Sequence, residues 1–346
     1  MEHTAARRLV TAARAARAAR AARAARAARA ARAARLPTLQ PVVIALLVLG
    51  AALAPRAVAR DDVLTLLLRV CLLASLAQSW NILAGFAGQT SLGHAAFFGL
   101  GALSARALWL GGLPFPAALL LGGLAAVAFA MLIGVPTFRL RGAHFAVGTL
   151  AVAEVLRLTV AQRSPLLTSL PPAQIVAYDP AACYELALVV ALATTGAAIL
   201  LRRSPLGLGL AAVREDEVAA RATGVDVLAH KLLALALSSF FAGLAGGVFA
   251  YHQVSYYPAA PFSPLWSFDP VLIAYVGGVG TVAGPLLGAL FFVLVQERLA
   301  LTLEQGHRIL FGALFIVVVL AFPGGQIELW RRLRAGLTPG GPGARC

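Results

Sequence analysis

Charge is scarce in this chain, and lysine scarcer still. Only 12% of the 346 residues are Asp, Glu, Lys or Arg, and the single lysine is Lys231. A phosphate-binding GxxxxGK[ST] loop needs a lysine in a glycine-rich turn, and Lys231 follows Ala229-His230 with no such turn before it. Nucleotide hydrolysis therefore has no seat here. The three cysteines, Cys71, Cys183 and Cys346, lack CxxC or Cys/His spacing, which excludes a disulfide framework and a zinc site. Alternating apolar and polar residues are missing as well, and with them the pattern of a transmembrane β-barrel.

What is abundant is continuous apolarity. With 60% hydrophobic residues and a mean hydropathy of +0.84, the apolar runs are too many and too long for one soluble core. The sequence predicts an all-α, polytopic membrane protein. Candidate spans fall at 41–58, 62–84, 91–111, 116–135, 143–162, 184–201, 229–251, 270–299 and 308–323. The stretch 270–299 is long for one crossing and contains Gly277, Gly278, Gly280, Gly284 and Pro285, so a helix break is expected there. Two crossings within it give about ten spans in all; a re-entrant hairpin plus one span is the alternative.

The net charge of +15 comes largely from the N-terminus, where an Ala-Ala-Arg triplet recurs and ten basic residues precede position 36. The rest holds 19 basic against 13 acidic residues, a net +6. A three-residue step winds around a helix and makes no fixed face. Residues 1–36 are read as a disordered tail, either a low-complexity expansion or a segment held to anionic lipid headgroups; a specific nucleic-acid arm is the weakest reading. Such a tail resists translocation, so the N-terminus is expected in the cytoplasm. Its length also disfavours a cleaved signal peptide. Starting inside, loops 85–90, 136–142 and 202–228 share the cytoplasmic side and carry Arg139, Arg141, Arg202, Arg203, Arg214 and Arg221, as the positive-inside tendency requires. Loops 163–183 and 252–269 fall outside. The membrane-embedded body is expected over 37–327, followed by a basic tail, 328–346, that charge places in the cytoplasm.

Polar residues inside apolar stretches mark candidate sites, because unmet polar groups in hydrocarbon cost several kcal/mol. The run from Gln78 to Gly101 contains Asn81, Gln89, Ser91 and His94, candidates for a translocation path; interhelical hydrogen bonding is the alternative role. Ser91 and His94, three apart, are expected on one helical face. Glu154 and Arg157 have the same spacing and are read as an intramembrane ion pair. Arg69 has no evident local acid and is expected against a partner subunit. In 202–228, Leu210, Val213, Glu217 and Ala220 recur at helical spacing with charges between them. This predicts a short surface helix closed by Gly224 and suited to docking on a cytoplasmic motor.

These residues resemble a known family, the LivM-type permease subunit of bacterial branched-chain amino acid ABC importers. The matching blocks are 81–101 (NILAGFAGQTSLGHAAFFGLG), 139–157 (RLRGAHFAVGTLAVAEVLR), 207–232, 242–250 (AGLAGGVFA), 277–288 (GGVGTVAGPLLG) and 311–324 (FGALFIVVVLAFPG). They run in order from about 62 to 325. The resemblance implies a permease of the bacterial inner membrane, with no cofactor of its own. Its partners would be a LivH-type permease, two cytoplasmic ATPase subunits that use ATP, and a periplasmic binding protein, with surrounding membrane lipid. Arg214, Glu215, Asp216, Glu217 and Gly224 would then belong to the segment that couples to the ATPase. The substrate would be a branched-chain or related amino acid, with urea and short amides as alternatives, since importers for these share the blocks. A stand-alone ion-driven transporter is the more distant reading. Two departures stand out: Ala143-His144 replaces the family's usual Asp-Tyr pair, and 161–172 (AQRSPLLTSLPP) lacks the usual Thr-Gly-Gly-x-x-Gly turn.

Overall fold

The computed structural model describes residues 61–163, 168–172, 175, 178–302 and 312. The predicted span 41–58, the predicted span 308–323 apart from residue 312, and both basic tails lie outside them. Helices account for most of the described chain: α1 (Asp61–Asn81), α2 (His94–Leu110), α3 (Phe115–Thr137), α4 (Ala143–Arg163), α5 (Pro180–Arg203), α6 (Pro205–Glu215), α7 (Glu217–Ala222), α8 (Val227–His252), α9 (Leu265–Gly277) and α10 (Ala283–Thr302). Six helical stretches are long and apolar enough to cross a membrane, Asp62–Phe86 being the first. This is a helical membrane protein with six such spans among its described residues, fewer than the ten read from the sequence.

Two predicted spans are reshaped. Helix α2 begins only at His94 and has 17 residues, because its first turn starts at depth. His94 hydrogen-bonds Ser238, which lies about 17 Å along α8 at 1.5 Å per residue. Ala95 N, one of the orphan N–H groups expected at a helix start, donates to Ser267 Oγ (2.9 Å), and just ahead of the helix Leu92 N donates to Thr149 Oγ1 (3.0 Å). The 270–299 stretch is indeed broken, into α9 and α10. Gly278 (φ 120°) and Gly280 (φ 77°) form the turn, conformations that a side chain disfavours. Pro285 sits in the first turn of α10, where its missing N–H is harmless. The two helices run back antiparallel, Gly277 against the Gly284 carbonyl and Gly288 against that of Ile273. At 13 residues, about 20 Å, α9 is shorter than a 30 Å hydrocarbon core.

Packing centres on α8, which touches α1, α2, α3 and α5. Its small residues permit this: Gly101 lies on the Gly243 carbonyl, and Gly246 on that of Phe98. Between apolar helices in lipid, such close approach replaces the hydrophobic drive of a soluble core. Helices α1, α9 and α10 share a second cluster, with Leu73, Ala77, Ile273, Val276, Phe292 and Val293 buried together. Local caps set the connections. Asp179, Ser204, Asp216 and Asp226 each accept a backbone N–H at the helix they open, an exchange worth about 1 kcal/mol per cap.

The loops segregate as their charges require. Arg141, Gln89 and the Arg214–Glu217 segment border one cleft. On the other side Thr168–Ser169 pairs antiparallel with Ser255–Tyr256, and Leu170 N donates to Val254 O (3.1 Å). This two-residue ladder joins the two predicted outer loops.

Candidate functional site

The polar run around Asn81 takes the form of a discontinuous helix. After α1 the backbone widens into one π turn, Ile82–Phe86, whose side chains are all buried; π bulges of this kind often occur at functional positions. Gly88, at φ 73°, ends the helix. Its N–H and that of Gln89 return to the carbonyls of Ala84 and Leu83 (3.1 Å each). The carbonyl of Gly85 is left for a partner from elsewhere.

That partner is Arg214. Its Nη1 donates to Gly85 O (2.9 Å) across 129 positions of sequence, placing a cation at the carbonyl end of a helix, where the macrodipole favours it. The second helix break meets the same point. Asn81 Oδ1 accepts from Gly280 N and Asn81 Nδ2 donates to Thr281 O, both at 2.8 Å. Asn81 is fully buried, so both halves of its amide are spent on the α9–α10 turn. A Cβ on Gly85 would overlap Asn81 Oδ1, which explains a glycine one helical turn later. Beside this junction opens a cleft of about 560 Å³, bordered by Gln89, Thr90, Arg141 and Arg214 to Glu217.

The predicted coupling segment is two helices rather than one, divided at Asp216. Its carboxylate accepts from Val218 N (2.7 Å) and Ala219 N (3.2 Å), restarting the chain as α7. Gly224, at φ 86°, follows α7. Leu210 and Val213 are buried on α6 and Ala220 on α7, so the residues read as one helical face divide between two helices. Glu217 pairs with Lys231 of α8, whose side chain is only 4% exposed; a buried ammonium needs such a partner. Lys231 also lies 5.7 Å from the centre of the Phe138 ring. Glu215 pairs with Arg214 Nη2 (2.9 Å) on the open side.

Ser91 and His94 do not share a helical face, because Ser91 precedes the start of α2. Ser91 O accepts from Trp80 Nε1 (2.8 Å) and its hydroxyl accepts from Gly93 N (3.1 Å). His94 is wholly buried. The one hydroxyl hydrogen of Ser238 goes to Ser79 O (2.7 Å), so His94 Nε2 carries a proton and donates it to Ser238 Oγ (2.8 Å). Gln89 stands apart from both, half-buried at the cleft. Gln78 is fully buried.

Glu154 and Arg157 form a bidentate pair, at 2.8 and 2.5 Å. Arg69 finds its partners within this chain: Nη2 donates to Gln296 Oε1 (2.9 Å), with Glu297 at 4.0 Å. The expectation of a partner subunit there overlooked α10, which lies more than 200 positions away in sequence yet packs on α1. Sequence reasoning also passed over Arg106. This arginine is 3% exposed, and its Nη1 donates to the carbonyls of Ala250 and Gln253, both at 2.8 Å, at the end of α8. Its guanidinium lies 4.6 Å from the centre of the Tyr256 ring. Burial pushes the Tyr256 phenol well above its usual range, so the ring faces the cation uncharged. The available signal was a lone arginine in an apolar helix, which asks for a partner. Among the described residues no group of three or more His, Cys, Asp and Glu could hold a metal ion.

Comparison with known proteins fits this arrangement. The family described as the permease component of branched-chain amino acid transport systems matches residues 63–319. The chain is 28% identical over 336 residues to the high-affinity branched-chain amino acid transport system permease protein LivM of Escherichia coli (strain K12), covering 86% of this chain and 78% of that one. It is 28% identical over 296 residues to the protein of the same name from Salmonella typhimurium, covering 75% and 69%. A probable LivM permease of Methanocaldococcus jannaschii is 31% identical over 99 residues, 29% of each chain. No solved structure matches. With its polar helix breaks, helical membrane body and a family match across most of its length, the chain belongs to the permease family of branched-chain amino acid transport systems.

Proposed function

We propose that this chain forms one half of the membrane pore of an ATP-driven importer that carries branched-chain amino acids into the cytoplasm. The family match over 63–319 carries the reading. In the proposed assembly a related LivH-type permease supplies the other half of the pore, two cytoplasmic ATPase subunits bind and hydrolyse ATP, and a periplasmic protein delivers the solute. The chain lies in the bacterial inner membrane with about ten spans and both termini in the cytoplasm, where α6 and α7 face the ATPase. Asn81 and Gln89 flank the moving part of the path.

Vesicles carrying the complete complex are expected to take up radiolabelled leucine when ATP and the binding protein are supplied. Uptake that persists when this subunit is omitted would sink the proposal.

In the same assay Glu154→Gln is expected to keep uptake within about twofold of wild type, with an unshifted pH profile around neutrality. The two side chains are about one-third exposed along a membrane-spanning helix, and a glutamine oxygen can still accept from Arg157, which keeps that cation partnered there. Uptake that vanishes, or a displaced pH profile, would instead make Glu154 a proton carrier.

A further inference from the structure

We propose that Arg214 is a positioning residue that ties the α6–α7 segment to both helix breaks, so that a push on this segment moves the two breaks as one body. The inference rests on the proposed role of α6 and α7 at the ATPase and adds the route inward from them.

Three glycines surround this one side chain. A Cβ on Gly88 would come within 2.9 Å of Arg214 Cγ and 3.2 Å of its Cα, and one on Gly280 within 3.2 Å of Nη1. The third, Gly85, offers the carbonyl that Nη1 bonds at 2.9 Å. The groove thus admits an arginine stem only because the surrounding backbone carries no side chains there. Both breaks are held at the same point, since Asn81 ties the Gly280–Thr281 turn to the end of α1. A displacement of α6 therefore reaches the π turn through Arg214 and the α9–α10 turn through Asn81.

The other attachments of the segment lead elsewhere. Glu217 reaches Lys231 on α8, and Gly209 lies against the His230 ring. These seat α6 and α7 on α8, which is continuous from Val227 to His252. Arg214 alone, among the hydrogen bonds and ion pairs described for this segment, reaches the discontinuous helices. Its guanidinium also suits a mobile contact: one edge meets Gly85, the other meets Glu215, and the side chain is 42% exposed, so water can replace a bond that breaks. A lysine could supply the charge but not the fork.

The test uses the whole complex in liposomes, with Arg214→Ala, Arg214→Lys and wild type. Import per ATP hydrolysed is expected to fall about tenfold in Arg214→Ala, the scale of a coupling free energy between two sites, while the complex still assembles and hydrolyses ATP. Arg214→Lys is expected to recover part of that loss. Spin labels on Thr90→Cys and Val218→Cys, both exposed positions, give a second readout independent of the solute. Their separation should stay constant through the ATP cycle with Arg214 present and spread with Arg214→Ala. Import and hydrolysis falling together, failure of Arg214→Ala to assemble, or label distances indifferent to Arg214 would each overturn the proposal. A wild-type complex that hydrolyses ATP but imports no branched-chain amino acid would count against the solute instead, and leave the label comparison standing.

Discussion

Gly246→Val is expected to remove most of the folded protein from the membrane and to lower the melting temperature of what remains. The reason lies in what surrounds this position. A Cβ there meets the carbonyl of Phe98, which is backbone and cannot rotate away. Neighbouring Gly243 is also confined, though less tightly, by Ala126 and the Cα of Gly123 at 3.1 Å. Overpacking a filled core costs about 1–3 kcal/mol when side chains can shift, and occasionally more; here α2 and α8 would have to separate as rods. Bonds on either side of the contact would stretch with them, His94 to Ser238 and Arg106 to the carbonyls at the end of α8. Gly196→Ala is the matching control, because a Cβ there meets nothing within 4 Å, and such a change is expected to stay within about 0.5 kcal/mol of neutral. Immunoblots of membranes and thermal melts in detergent report both. Wild-type amounts and melting of Gly246→Val would refute the close-packed crossing.

The contrast between these two glycines shows where the sequence is legible and where it stops being so. Continuous apolarity locates α1, α3, α4, α5 and α8 within a few residues, because a bilayer demands long uninterrupted runs. Charge sorts the loops into two sides, since arginines are costly to move across. Glycine density correctly marks a break near 277–285, though the positive φ angles fall on Gly278 and Gly280 while Gly277, Gly284 and Pro285 remain helical. The start of α2 departs from the expected one because a three-residue spacing fits a helical face only if both residues are helical, and Ser91 is not. Arg214 to Gly85 and Arg69 to Gln296 span 129 and 227 positions. No local pattern encodes such contacts; they follow from which helices pack together. Asn81 was singled out for being polar at depth, but its partners belong to a turn 200 residues away.

Asn81→Leu is expected to leave the complex assembled and to cut solute uptake at least tenfold. Leucine approximates the volume of asparagine but removes both hydrogen bonds to the α9–α10 turn. Gly280 N–H and Thr281 C=O belong to half-buried residues but bond the fully buried Asn81 side chain, so an apolar leucine there takes their partners away, and each group left unmet costs about 1–3 kcal/mol. That sum exceeds the 1.4 kcal/mol that corresponds to a tenfold change in population, so the turn should no longer hold one conformation against the π turn. Asn81→Asp separates the two bonds. A carboxylate still accepts from Gly280 N, but it faces the Thr281 carbonyl with a second acceptor, and its charge is costly at this depth; uptake should remain low. Gly85 supplies the decisive cross-check. Gly85→Ala alone should be damaging, because its new methyl overlaps Asn81 Oδ1. In the Asn81→Leu background the methyl still meets the backbone at Gly280 N, 2.8 Å away, but the bonded amide it would displace is already gone, so the loss in the double variant should fall short of the sum of the two single losses. Such non-additivity is the signature of two residues acting through one contact. Independent, additive losses in uptake would mean that Asn81 and Gly85 serve separate ends.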